Sequence, residues 1–354
     1  MFRSTLNNIN DLYLLQEYLI AKNFSKIFIL TDTNTNIYCL PILLENAEYL
    51  ADRQASLLEV SAEENKSKNI NTVIDLINSL IEEQADRNSC IINLGGGLIS
   101  DIGGFAASIY KRGIQAINIP TTLLSMVDAS IGGKTAINHL GVKNIIGTFN
   151  FNAPVFLCEK FLKTLNKVHI KDGVDEMLKT FIVSDEELAN KILEDKELNF
   201  YLTNSVNISD DISNIFNVLI LKCAKIKQYI VEKDPYDKNE RKKLNFGHTF
   251  AHALEAFYKG NISHGHAVAI GMYYSTILSE KKLGFSNEKA DKIKRFLKKN
   301  YDILDIKPIA NKLMEFIYQD KKNDKDNILF VLLSDMGICQ INVPITEEDI
   351  LNLC

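Results

Sequence analysis

The first 165 residues alternate short β-branched runs with stretches of helical spacing, and this alternation restricts the fold more than any other feature of the chain. Lys26-Ile-Phe-Ile-Leu-Thr reads as a strand, Ile70, Val73, Ile74, Ile77 and Ile81 as one face of an amphipathic helix, and Cys90-Ile-Ile-Asn-Leu as the next strand. Strands separated by helices are joined by crossovers, so they pair in parallel and need helices over the sheet faces. Ile114-Gln-Ala-Ile-Asn-Ile and Val155-Phe-Leu-Cys read as further strands. From Asp172 onward nearly all the periodicity is helical, so the second half is expected to be α, with the division near residues 165–172. At 354 residues and 46% hydrophobic composition, the chain can bury two such domains.

Charge and cysteine usage exclude several classes. A net charge of −5 with no Lys/Arg block argues against nucleic acid or a membrane surface as the main partner. No segment has the apolar length of a membrane span, and Met1 to Ile20, interrupted by Asn, Asp, Gln and Glu, has no signal-like core. The six cysteines lie far apart without a CxxC pair, as expected of reduced thiols in a cytoplasmic protein. Lys321-Lys-Asn-Asp-Lys-Asp-Asn reads as an exposed polar loop.

Two regions carry chemistry. Ten of the seventeen glycines fall between Gly95 and Gly147, concentrating close backbone approaches in one place. Cys90-Ile-Ile-Asn-Leu runs into Gly95-Gly-Gly-Leu-Ile-Ser-Asp-Ile-Gly-Gly, a strand, glycine turn and helix start able to seat a pyrophosphate. It departs from the dinucleotide fingerprint, since Ser100 stands at the third glycine, and a plain packing turn is the competing reading. Asp32, ending an earlier strand, is placed to accept hydrogen bonds from a ribose or simply to form a turn. Gly132-Gly-Lys-Thr is similar to the end of a P-loop, but Val127 occupies the first glycine position, which rejects that motif. Lys134 and Lys143 beside glycine turns still fit an anion, against the alternative of solvated surface lysines. The second region holds four of the six histidines, His248, His252, His264 and His266, within nineteen residues. His248 and His252 are four apart on a predicted helix and could share one metal, or merely one helix face.

In order along the chain, Thr31-Asp-Thr-Asn, Ser61-Ala-Glu-Glu-Asn-Lys, Gly95-Gly-Gly-Leu-Ile-Ser-Asp, Tyr110-Lys-Arg-Gly, Pro120 to Thr135, Lys143-Asn-Ile-Ile-Gly, Asp175-Glu-Met-Leu-Lys, Leu244-Asn-Phe-Gly-His-Thr-Phe-Ala-His, His264-Gly-His-Ala-Val-Ala and Asp320-Lys-Lys resemble the 3-dehydroquinate synthase family of sugar-phosphate cyclases over essentially the whole chain. The resemblance implies a Rossmann-like α/β NAD-binding domain over residues 1–168, an all-α metal- and substrate-binding domain over 169–354, and a homodimer with its active site between the domains. It implies a carbon–oxygen lyase of the shikimate pathway, leading to chorismate and the aromatic amino acids. The substrate would be 3-deoxy-D-arabino-heptulosonate 7-phosphate, taken to 3-dehydroquinate and phosphate by transient oxidation, elimination, re-reduction and aldol closure.

Carried over by motif position, the metal ligands are Glu176, His248 and His264, for zinc or cobalt, and His252 turns to the substrate instead. Arg112, Asp128, Lys134, Lys143, Asn144, Lys179, Lys227, Arg241, Asn245 and His252 are implied around the substrate, joined by Lys321 or Lys322. NAD contacts are implied for Asp32, Asn34, Glu63, Lys66, Gly96, Gly97, Asp101, Thr121, Thr122, Lys134, Lys143, Phe161 and Thr164. Departures from the family pattern are His266 for Glu, Asp175 for Ala, Ser100 for Gly, and Asn150-Phe-Asn-Ala-Pro for Tyr-Gln-Pro. Competing readings are a sister cyclase, a glycerol dehydrogenase-type polyol dehydrogenase, for which the cation set has no use, and a non-catalytic NAD- or metal-binding descendant.

Overall fold

The computed structural model describes residues 12–204, 210–319 and 328–353. They form two compact units, one of residues 12–166 with 220–228, the other of residues 167–204, 210–219, 229–319 and 328–353.

The first unit is built on a four-stranded parallel sheet in the order β2-β1-β3-β4, with β1 Ile27–Asp32, β2 Ser56–Val60, β3 Cys90–Gly95 and β4 Gln115–Pro120. β1 and β3 are buried at every position, which explains their unbroken apolar runs, whereas β2 at the edge is only partly buried. In register, Leu30 lies beside Leu58 on one side and Asn93 on the other, and Asn93 beside Asn118. The helix Ile70–Glu82 starts where the Asn69 side chain accepts from the Thr72 N–H, and it buries Val73, Leu76 and Leu80. These residues meet Phe28, Leu30 and Ile91 of the sheet and Ile99, Ile102 and Phe105 of the helix Gly97–Ile109. Each such side chain contributes roughly 1.5–3 kcal/mol by leaving water.

Val155-Phe-Leu-Cys forms isolated bridges at Val155, parallel to Asn118, and at Cys158, rather than a full strand. Lys134 and Lys143 lie on an antiparallel hairpin, β5 Lys134–His139 and β6 Val142–Phe149, turning at Leu140 and Gly141, both with positive φ.

Among the described residues the second unit is helical apart from one antiparallel hairpin, β7 Ile328–Asp335 and β8 Ile338–Ile345, an element not contained in the helical expectation for this half. β7 is a largely buried apolar run whose periodicity does not separate strand from helix. Its Leu333 N–H donates to the Ser279 hydroxyl (2.9 Å), and the Gly337 N–H donates to the carbonyl of Ile182 (2.7 Å). Among the described residues no helix is long and apolar enough to cross a membrane. Lys321 and Lys322 lie outside the described residues.

Candidate functional site

In the second unit, the helix Lys167–Ile182 is buried without interruption from Asp172 to Ile182. Ile170, Val174, Met177, Leu178 and Phe181 account for its insertion, but Asp172, Asp175, Glu176 and Lys179 go in with them. Charges buried in this way are costly unless paired or hydrogen-bonded. Glu176 and Lys179, one turn apart, form an ion pair through Oε2. Asp172 Oδ1 accepts from the Ser263 hydroxyl (2.7 Å) and the Gly265 N–H (3.1 Å), fastening the start of the helix His264–Leu283 to the first helix. The approach is so close that a Cβ on Gly265 would lie 2.3 Å from the Asp172 Cα, so the residue after His264 must be glycine.

This fastening brings His264 to Glu176, with Nε2 3.3 Å from Oε1. His248, the first residue of the helix His248–Phe257, brings its Nε2 to 3.5 Å from the same oxygen. One ligand atom from each of the three residues falls within 4.8 Å of the others. The opposite ring nitrogens face acceptors: His248 Nδ1 the Phe246 carbonyl at 3.3 Å, His264 Nδ1 the Glu255 carboxylate at 3.4 Å. In the neutral rings that a metal requires, an Nδ1–H directed at those oxygens leaves both Nε2 lone pairs toward Glu176, whose Oε1 is buried without a hydrogen bond of its own. Three lone-pair donors converging on one enclosed point fit a divalent cation.

The electrostatics follow from burial. Desolvation works to raise Glu176, but the charge of Lys179 and the two imidazoles hold it well below the usual carboxylate range. Burial, reinforced by Lys179, pushes His248 well below the usual imidazole range. Burial also acts to lower His264, yet the Glu176 and Glu255 carboxylates beside it outweigh that and push it up to about 10, so a metal at Nε2 would displace a proton. His252 is exposed, its ring 5.3 Å from that of His248 and outside the three-ligand group.

Also in the second unit, Arg241 is almost fully buried and donates to the Pro235 carbonyl (2.9 Å). Its segment is gathered by Asp234, which accepts from the N–H groups of Lys238 (3.0 Å), Asn239 (2.6 Å) and Arg241 (3.1 Å). Asn245 is half-buried at the end of the same segment.

In the first unit, strand order reverses between β1 and β3, and in open α/β sheets ligands sit outside the carboxyl ends of the strands at such a point. Asp32 ends β1, and Gly96 and Gly97 follow β3 at a helix N-terminus. The Asp32 carboxylate caps the next helix, accepting from Asn34 and Thr35 (both 2.9 Å), so its turn-forming role is realised. Thr121 is buried, and Thr122 packs against Gly96, where a Cβ would stand 3.2 Å from its methyl group. The Phe161 ring is fully buried, and its carbonyl accepts from the Thr164 hydroxyl (2.7 Å). Glu63 and Lys66 pair at 2.5 Å, both largely exposed, where an ion pair contributes little. Asp128 and Lys227 are also ion-paired. Arg112, Lys134, Lys143 and Asn144 are exposed, with Arg112 and Asn144 at positive φ.

The comparisons with known proteins are consistent along the chain. The model for the 3-dehydroquinate synthase N-terminal region matches residues 58–172, and that for the 3-dehydroquinate synthase C-terminal region matches residues 173–323. The 3-dehydroquinate synthase of Parabacteroides distasonis is 39% identical over 342 residues, covering 95% of this chain and 92% of that protein. The chain belongs to the 3-dehydroquinate synthase family. Among solved structures, 2-deoxy-scyllo-inosose synthase complexed with carbaglucose-6-phosphate, NAD+ and Co2+ is similar with a TM-score of 0.82 at 25% identity, covering 98% of this chain and 94% of that one. The 2-epi-5-epi-valiolone synthase of Streptomyces hygroscopicus with NAD+ and Zn2+ bound has a TM-score of 0.78 at 23% identity, covering 94% and 91%, a likeness of fold.

Against the 3-dehydroquinate synthase pattern, two departures acquire surroundings. His266 Nε2 faces the Asp302 carbonyl at 2.7 Å, and Asp175 is fully enclosed, its carboxyl pushed well above the usual range by burial. Sequence reasoning missed Asp172, Glu255, Asp234 and Lys68, the last being nearly buried and paired with Asp101 at 2.7 Å. Lys68 was legible only as one more lysine two positions from Lys66, and nothing in the sequence marks which of them turns inward.

Two outcomes are expected. His248→Ala abolishes stoichiometric divalent metal measured after gel filtration, while His252→Ala retains it; equal loss in both would restore the i,i+4 pair as the ligand set. Asp234→Ala destabilises the fold by about 1–3 kcal/mol in urea titrations at neutral pH, the worth of hydrogen bonds to a charged group. Backbone donors outweigh burial and lower the Asp234 carboxyl, so its contribution is fully present above the unfolded carboxylate value, about 3.9, and is lost as pH falls through the lower folded value. The wild-type advantage should therefore shrink only in acid.

Proposed function

We propose that this chain converts 3-deoxy-D-arabino-heptulosonate 7-phosphate into 3-dehydroquinate and phosphate in the shikimate pathway, as its family membership implies. The observation that carries the chemical reading is the buried Glu176 oxygen without a hydrogen bond, faced by two imidazole nitrogens and held ionised by Lys179. When bound, NAD supplies reversible hydride acceptance, and a divalent metal, zinc or cobalt, supplies Lewis-acid stabilisation of charge on a substrate oxygen.

Glu176, His248 and His264 hold the metal in this reading. Lys179 keeps Glu176 ionised and presents positive charge beside it. Arg112, Lys134, Lys143, Asn144, Lys227, Arg241 and Asn245 bind the phosphate and carboxylate of the substrate, which a protein of net charge −5 attracts only through local cations. His252 and Asp128 face the reacting sugar, where His252 can move a proton. Asp32, Asn34, Glu63, Lys66, Gly96, Gly97, Asp101, Thr121, Thr122, Phe161 and Thr164 line the NAD site, with Lys134 and Lys143 reaching both ligands. The position of Asp32 and the glycines at the sheet's switch point supports the cofactor half of this reading.

The decisive assay is phosphate release from the heptulosonate phosphate by protein loaded with zinc and catalytic NAD. Stoichiometric release without net NADH is expected. No release would remove the synthase reading, and NADH accumulation on glycerol would favour a polyol dehydrogenase.

The protein is further proposed to act in the cytoplasm as a homodimer. Five described cysteines are free thiols, in keeping with a reducing compartment. The β5–β6 hairpin presents Leu140, 89% exposed, with Val142, Ile145, Ile146 and Phe149 distributed over both sides of the ribbon, apolar surface of the kind that associates. Light scattering should give twice the 40.0 kDa chain mass, and Leu140→Arg should reduce it to the single chain. A dimer unaffected by that change would place the interface elsewhere.

A further inference from the structure

The segment Thr122–Ser130 of the first unit begins as an ordinary helix, with the Met126 N–H donating to the Thr122 carbonyl (2.9 Å). It then widens into a single π-turn over Ser125–Ala129, closed by the Ser130 N–H on the Ser125 carbonyl at 3.2 Å. Such turns carry one residue more than the α-helix, are rare, and persist only where their surroundings hold them open. One residue corresponds to about 100° of rotation around a helix, so the extra residue decides where side chains in the turn point. Here Asp128 meets Lys227, whose ammonium contacts both its carboxylate and, at 2.7 Å, its carbonyl.

A line of buried amides and hydroxyls ends on this turn. The Ser130 hydroxyl donates to the same Ser125 carbonyl at 2.7 Å, doubling the bond that closes the π-turn. The Ser130 carbonyl accepts from the Asn118 amide (3.3 Å), and the Asn118 oxygen accepts from the Asn93 amide (2.8 Å). Asn93 and Asn118 are register partners on β3 and β4, at positions where a buried parallel sheet ordinarily carries Val or Ile. Their presence is costly: Asn93 is 1% exposed and its Oδ1 has no hydrogen bond. Space for that oxygen exists only because residue 103 is glycine, where a Cβ would fall 1.9 Å from it. Fold stability does not account for two amides in the sheet, one of them unsatisfied, whereas the turn they reach does.

We propose that Asn93, Asn118 and Ser130 are positioning residues that hold the π-turn open and thereby aim Asp128 at Lys227. The inference rests on the proposed placement of Asp128 and Lys227 at the substrate, and its test separates the two. In protein loaded with NAD and zinc, Ser130→Ala, Ser130→Thr and the double variant Asn93→Val/Asn118→Val are compared with wild type. Three quantities are read: the rate of Lys227 acylation by an N-hydroxysuccinimide ester, resolved by peptide mass spectrometry; kcat and KM for the heptulosonate phosphate; and the melting temperature.

Ser130→Ala is expected to speed Lys227 acylation about fivefold, the equivalent of one hydrogen bond, and Ser130→Thr to keep the wild-type rate. In Ser130→Ala, kcat is expected to fall tenfold or so with KM within about threefold, as for an interaction that matters in turnover rather than binding. The double variant removes both partners of the Asn93–Asn118 bond and the unsatisfied Asn93 oxygen but leaves the Ser130 carbonyl without its donor, so it should melt within a few degrees of the wild-type temperature while showing the same faster acylation. Unchanged acylation in both folded variants overturns the inference, whatever kcat does. Faster acylation with unchanged kcat upholds the positioning and withdraws the Asp128–Lys227 pair from the catalytic reading.

Discussion

The second unit is organised by the burial of a carboxylate. Glu176 lies in a helix enclosed from Asp172 to Ile182, and an isolated carboxylate there would be protonated rather than charged. Lys179, one turn away and itself nearly buried, keeps it ionised. That anion in an apolar surround gives the imidazoles of His248 and His264 something to converge on. The cost of burying the charge is offset chiefly by the ion pair with Lys179. Helix spacing, the tether from Asp172 and the glycine at 265 all serve this convergence.

Much of the first unit is legible in the sequence, because strands buried on both faces and amphipathic helices leave opposite patterns. β1, β3, β4 and the helix Ile70–Glu82 could be read this way. β2 is short, half-exposed and mixed in composition, and Val155 to Cys158 has a strand's composition but reaches only isolated bridges. β7 was hidden because a strand packed on both faces has no period-two signature, whereas β8 alternates in burial and was open to a period-two reading that was not made.

The site is legible unevenly. Spacing alone favoured pairing His248 with His252, since residues four apart share a helix face. The three-ligand group instead takes its second imidazole from another helix, at His264, and its carboxylate from seventy-two positions before His248. Only a motif pattern carries that information, because local periodicity says nothing about which helices meet. Asp172, Glu255 and Asp234 were missed for a related reason: each acts on a residue distant in sequence or on backbone N–H groups, and neither leaves a mark on neighbouring residue types.

The cap formed by Asp32 has a consequence for any ligand arriving there. Its carboxylate already orders the turn into the helix Thr33–Tyr38 through two backbone N–H groups. The conformational entropy of that turn is therefore lost during folding rather than on encounter. A ligand hydroxyl reaching this carboxylate meets a preorganised acceptor, and its association does not have to wait for a loop to settle.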